Sequence, residues 1–230
     1  PDFLKETVRF LEDNPEVIAI STGQLHKIPG KPDTIAPAIL KTDPEKYRQP
    51  VVLPDFFSFW AEHNHVFTGS VLMRTDIVKK TGGLRPELRI TEDLEFWAYL
   101  ATFGKWGLVP DVLIVSDGGA VTRHTGWLKK NKKRWQSAPE VDTWETRIIK
   151  RMPSPLPYGY LIARGRIAGN LAYSMILSNR DVLARQTVLK YKDHLPANKL
   201  TRLLKSTLKP YILWALVCHF LRLREKRRKI

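Results

Sequence analysis

The opening stretch, PDFLKETVRFLEDNP, carries Phe3, Leu4, Val8 and Leu11 at helical spacing and is ended by Asn14-Pro15, which predicts a first helix with those four residues as its apolar stripe. EVIAIST follows as an uninterrupted β-branched and apolar run, the signature of a buried strand. Residues 26–50 lose all periodicity and hold Pro29, Pro32, Pro37, Pro44 and Pro50, so they read as an irregular excursion. LPDFFSFWAEHN reads as a short helix and HVFTGSVLMR as a strand. TDIVKKTGG reads as a short helix whose end at Gly82-Gly83 suits a left-handed cap. RITEDLEFWAYLATFG is the next helix, and GLVPDVLIVS the strand after it. Alternation of helices and strands predicts an α/β sandwich with a mostly parallel sheet.

The pattern then changes. A basic segment over 122–135 and the Pro-rich RMPSPLPYGY lead into three helix-like runs, near 159–178, 181–195 and 197–223. Ile162, Ile167, Leu171, Met175 and Ile176 form the stripe of the first, and Asn179-Arg180-Asp181 reads as a turn with an N-cap. These runs predict a small all-helical appendage over 159–230, reached through a basic, Pro-rich connector over 128–158. YILWALVCHFL is apolar for 11 residues, whereas a helix crossing a bilayer needs about 20. Lys209 precedes it and RLREKRRK closes it, so two readings stand: a core helix with a solvated basic end, or a helix lying in a membrane interface.

Charge sharpens this division. Residues 1–120 hold 13 Lys and Arg against 17 Asp and Glu, and residues 121–230 hold 25 against 6. Such a basic half calls for an anionic partner: nucleic acid, a diphosphate, or acidic lipid. One cysteine, Cys218, excludes an intramolecular disulfide and suits a reducing compartment; its neighbours suggest a buried or lipid-facing thiol. The chain opens at Pro1 directly into helical sequence, as expected of a piece of a longer protein.

Thr91-Glu92-Asp93 has a simple local reading, with Thr91 as a cap and two acids favoured in the first turn by the helix dipole. Its surroundings add to this. The order strand, short helix, Gly-Gly turn, Glu-Asp, aromatic helix and strand, with Trp97 four residues after Asp93 and Pro110 in the strand that follows, resembles the C-terminal half of the family 2 glycosyltransferases of the GT-A fold. The opening helix and strand are similar to the segment that follows the Asp-x-Asp motif in that family. The resemblance covers residues 1–127 and implies a partial GT-A-like α/β/α sandwich. It implies an inverting transfer from a nucleotide-sugar donor to a hydroxyl of a glycan or lipid-linked acceptor, with Asp93 as general base. Glu92 would bind acceptor hydroxyls or orient the motif, with Thr91 in support.

The family also holds its donor diphosphate with a divalent cation, Mg or Mn, on Asp-x-Asp. This chain has no Asp-x-Asp, and Glu140-Val141-Asp142 reads as a solvated pair. The expected metal ligands therefore lie upstream of Pro1, and the piece alone is expected to be inactive. Arg123 and His124, after the last strand, are candidates for a diphosphate or metal contact. Trp127 and Trp135 are candidates for stacking on a sugar. Asn131-Lys132-Lys133-Arg134-Trp135 resembles the Gln-x-x-Arg-Trp motif of processive polysaccharide synthases, with Asn for Gln, and reads otherwise as a solvated basic helix. Trp60, Phe96 and Trp97 are assigned to the core. The resemblance implies a peripheral protein at the inner, cytoplasmic face of the cytoplasmic membrane, and the basic half makes anionic lipid its expected surface. A nucleic-acid-binding or membrane scaffold module is the alternative, but the basic half lacks helix-turn-helix spacing, zinc ligands and an aromatic RNA-binding signature.

Overall fold

The computed structural model describes residues 2–28, 30–116 and 127–227, with backbone alone for 127–130. The protein is mixed α/β with a helical C-terminal region. It divides into two compact units, one of Pro1–Leu84 with Asp93–Thr122 and the other of Arg85–Glu92 with Arg123–Ile230.

The first unit is built on a five-stranded mixed sheet. Its elements are α1 (Asp2–Asp13), β1 (Val17–His26), β2 (Thr34–Ala36), α2 (Ile39–Thr42), β3 (Val51–Val52), α3 (Phe56–Glu62), β4 (Val71–Met73), α4 (Thr75–Thr81), α5 (Glu92–Leu100) and β5 (Lys105–Ser116). β1 runs parallel to β5 along one edge. Its other edge is shared by β4, opposite Ala19–Ser21, and β2, opposite Gln24–His26, both antiparallel. β3 lies antiparallel to β5. The expected mostly parallel sheet is therefore corrected: among the described residues only the β1–β5 pair is parallel. A parallel pair needs a crossover of a dozen or more residues, and only the stretch from β1 to β5, with its helices, supplies one that is used.

The α1 stripe is also corrected. Thr7, Phe10 and Leu11 face the sheet, while Leu4 and Val8 are exposed. Phe10 and Leu11 join Val17, Ile20 and Val109 in one apolar cluster. Arg74 ties the helix end to the sheet: its guanidinium donates to the carbonyl of Leu11 (2.5 Å), one that the end of α1 leaves unpaired, and to that of Val17 (2.7 Å) at the start of β1. Trp60 is fully buried and stacks on Phe56, and Phe96 and Trp97 are buried as expected. Gly82 takes the left-handed conformation that ends α4, as its place after Thr81 predicts. Pro110 sits where β5 bulges: Thr22 faces Val109, but Gly23 faces Val112. A side chain at Gly23 would meet the Pro110 carbonyl at 2.6 Å, so the bulge requires glycine there.

The second unit is helical: α6 (Trp127–Gln136), α7 (Val141–Glu145), a 3-10 turn (Ile149–Arg151), α8 (Tyr158–Leu177), α9 (Asp181–Tyr191), α10 (Lys199–Ser206) and α11 (Tyr211–Arg227). α8 is its central helix, packed against α6, α7, α9 and α11. Ile167, Leu171, Met175 and Ile176 of the expected stripe are fully buried; Ile162 is half-buried. Ala163, Gly165, Ala168 and Ala172 let neighbours approach closely, and a Cβ at Gly165 would strike the His194 carbonyl at 1.9 Å. The single run expected near 197–223 is two helices, because Pro210 cannot continue the first. Asn198 caps α10 with a reciprocal Asn198–Thr201 capping box.

Candidate functional site

The acidic turn lies at the start of α5, and its geometry differs from a simple cap. Thr91 has φ +62°, a left-handed backbone that a β-branched residue rarely adopts and that costs about 1–3 kcal/mol. Its hydroxyl donates to the Ile90 carbonyl at 2.5 Å and caps no amide among the described residues. The Leu94 N–H is taken instead by Asp93 Oδ1 at 2.8 Å. The expected Thr91 cap is thus replaced by a strained residue that redirects the chain, with Asp93 in the first turn of α5.

Three side chains of the helical unit hold the residues that precede Asp93. Arg134 of α6 donates from Nε to the Arg89 carbonyl at 3.0 Å and from Nη2 to Glu92 Oε1 at 3.1 Å. The buried Trp144 indole donates to the Thr91 carbonyl at 3.3 Å. Arg85 bonds the Thr143 carbonyl at 2.8 Å. Arg134 is therefore more than a solvated cation on a basic helix; it bridges two points of the Arg89–Glu92 segment. Neither Trp144 nor Arg85 stands out in the sequence. An isolated Trp amid the polar EVDTWETR was the available signal for the first.

No family model, curated protein or solved structure matches this chain.

A cavity of about 650 Å³ opens in the sheet unit at the C-terminal ends of β1 and β5, lined by Gln24, His26, Phe67, Thr68, Ile114 and Ser116 among others. Ligands of α/β sheets bind beyond the carboxyl ends of parallel strands, and β1–β5 is the parallel pair. Gln24 is almost wholly buried, and its side-chain oxygen has no hydrogen-bond partner among the described residues. His26 meets the Phe67 ring edge to face at 5.5 Å. Aromatic edges beside amide and hydroxyl groups suit a polyhydroxylated ligand. Asp93 does not line this cavity.

A Ser–His pair elsewhere does not carry chemistry. Ser21 Oγ lies 2.8 Å from His65 Nδ1 and accepts from the Trp106 indole at 3.3 Å, but both Ser21 and His65 are fully buried and no substrate reaches them. Trp135 lines a second cavity of about 350 Å³ with Lys132, Asn179, Arg222 and Lys226 in the helical unit. Arg123 and His124 lie outside the described residues, as does the side chain of Trp127. Asp142 is exposed as expected but tied: Lys190 Nζ donates at 2.7 Å and the Tyr191 hydroxyl at 2.8 Å, holding its carboxyl below the usual carboxylate range. No group of three or more His, Cys, Asp or Glu among the described residues is arranged to hold a metal ion.

Proposed function

We propose that this chain is the catalytic and acceptor-binding part of an inverting, GT-A-like glycosyltransferase of the family 2 type, acting on a nucleotide-sugar donor. The observation that carries the reading is the Thr91-Glu92-Asp93 turn: a strained left-handed Thr91, a Glu92 paired to Arg134, and Asp93 in the first turn of α5. Strain of this kind persists where the surroundings over-determine it, and it clusters at functional sites.

In this reading Asp93 is the general base. An acceptor hydroxyl attacks the anomeric carbon as the nucleoside diphosphate leaves from the opposite face, and Asp93 takes the hydroxyl proton as the new bond forms. One displacement inverts the anomeric centre. Glu92 fixes the turn through Arg134, and the cavity beside Gln24 and His26 receives a sugar unit. Among the described residues no acidic or imidazole cluster is arranged to hold a divalent cation. The acceptor is a glycan or a lipid-linked sugar, and the protein works as a peripheral protein at the inner face of the cytoplasmic membrane. Replacing Asp93 by Asn in the protein that carries this chain tests the reading.

A further inference from the structure

α11 is apolar on two opposite faces, and only one of them is used inside the protein. Trp214, Cys218 and Leu221 are buried, with the Trp214 indole donating to the Asp181 carbonyl at 3.0 Å. The opposite face repeats Ile212, Leu216 and Phe220 at intervals of four and carries Leu213 and Leu223 beside them. Ile212 is 71% exposed, Leu216 60% and Phe220 55%. The core-helix reading of this segment accounts for the first face and leaves the second unexplained.

The start of α11 is tied to α9, where Arg185 lies 5.8 Å from the Tyr211 ring and donates to the Leu208 carbonyl. Exposed Lys209 stands before the helix, and exposed Arg224, Lys226 and Arg227 close it. α11 therefore carries an exposed apolar strip with cations at both ends. No described helix is long and apolar enough to cross a membrane.

We infer that this strip is the surface by which the protein docks on an anionic bilayer, with α11 lying in the plane of the interface. Ile212, Leu216 and Phe220 enter the acyl–headgroup boundary, and Lys209, Lys226 and Arg227 meet phosphate oxygens. Charge selects this occupant over a second copy of the chain. Two such strips face to face bring cations against cations in either orientation, and their few apolar side chains fall short of the roughly 20–30 residues a side of a stable interface. The inference rests on the peripheral placement proposed above and not on the transfer chemistry.

Flotation of the full chain with phosphatidylcholine vesicles, with and without phosphatidylglycerol, tests it. The wild type is expected to float with the anionic vesicles. The combined variant Ile212→Ser, Leu216→Ser, Phe220→Ser should reduce the bound fraction by about tenfold or more, with an unchanged circular dichroism spectrum. Lys209→Gln, Lys226→Gln, Arg227→Gln should weaken binding to anionic vesicles and leave binding to neutral ones as it was. Equal flotation of all three proteins overturns this surface and leaves the peripheral placement standing. Failure of the wild type to float overturns both. A wild type that is dimeric in light scattering, and made monomeric by the serine substitutions without any vesicle binding, assigns the strip to a second copy instead.

Discussion

The sheet unit and the helical unit bury polar groups in different ways. In the first, backbone amides and carbonyls pair along β1 and β5, and the buried side chains around Trp60, Phe56 and Trp106 are chiefly aromatic, although Glu95 of α5 is buried as well. In the second, helices satisfy their own backbones, and buried carboxylates join them. Glu145 accepts from the Tyr160 hydroxyl at 2.6 Å and lies 3.4 Å from Arg164, Glu225 accepts from Tyr173 at 2.8 Å, and the partly exposed Asp181 takes a two-point bond from Arg222. Burial and the Glu145 bond raise the Tyr160 phenol well above its usual range. A sheet fixes its neighbours through the backbone ladder, while packed helices need side-chain ties to fix their register. The helical unit, tied by these ion pairs and side-chain bonds, should therefore answer to pH and charge more than the sheet unit does.

The largest effect expected from that contrast is in the sheet unit. Trp60→Ala removes a fully buried indole and should cost about 3–5 kcal/mol. Urea unfolding should give the same loss at pH 5 and pH 8, and a loss that varied with pH would break the contrast. Next comes Arg134→Ala, which frees the Arg89 carbonyl and Glu92 together. Arg134 is half-exposed, so stability should change by less than about 1 kcal/mol. Turnover should nevertheless fall by about tenfold or more, because a misplaced reacting group costs rate rather than stability. Arg134→Lys should recover only part of it, and a raised KM with unchanged kcat would refute a positioning role. The smallest effect belongs to Asp142. Its carboxyl is held below its reference value of 3.8, chiefly by its bonds to Lys190 and Tyr191. That stabilisation is present above the reference value and is lost as the pH falls through the lower folded value. Asp142→Asn should make the loss of helical stability below about pH 4 shallower, as followed by circular dichroism in urea.

Much of this was legible in the chain. Helical spacing and Asn14-Pro15 located α1, Gly82 marked the end of α4, and the aromatic run after Glu92 located α5. What periodicity missed was decided by contacts distant in sequence. Leu4 and Val8 fit a helical stripe as well as Thr7 and Phe10 do, and the sheet alone determines which pair is buried. The direction of β2, β3 and β4 depends on pairings that no local pattern encodes. Within the site, Thr91 reads as a cap by residue type, yet its left-handed backbone is held by the Arg134 and Trp144 contacts, more than forty residues away. Burial also decided the character of Cys218, whose thiol is pushed up to about 12 by its enclosure and by the nearby Asp181.

The central claim is that Asp93 removes the acceptor proton, and its most direct test is the rate of Asp93→Asn. In the protein that carries this chain, nucleoside diphosphate release from UDP-, GDP- and dTDP-sugars in the presence of acceptor would be measured for wild type and variant, with circular dichroism to verify the fold. The account predicts wild-type transfer with inversion at the anomeric carbon, and a folded Asp93→Asn variant slower by about 10²-fold or more. A folded variant that turns over at the wild-type rate would contradict it.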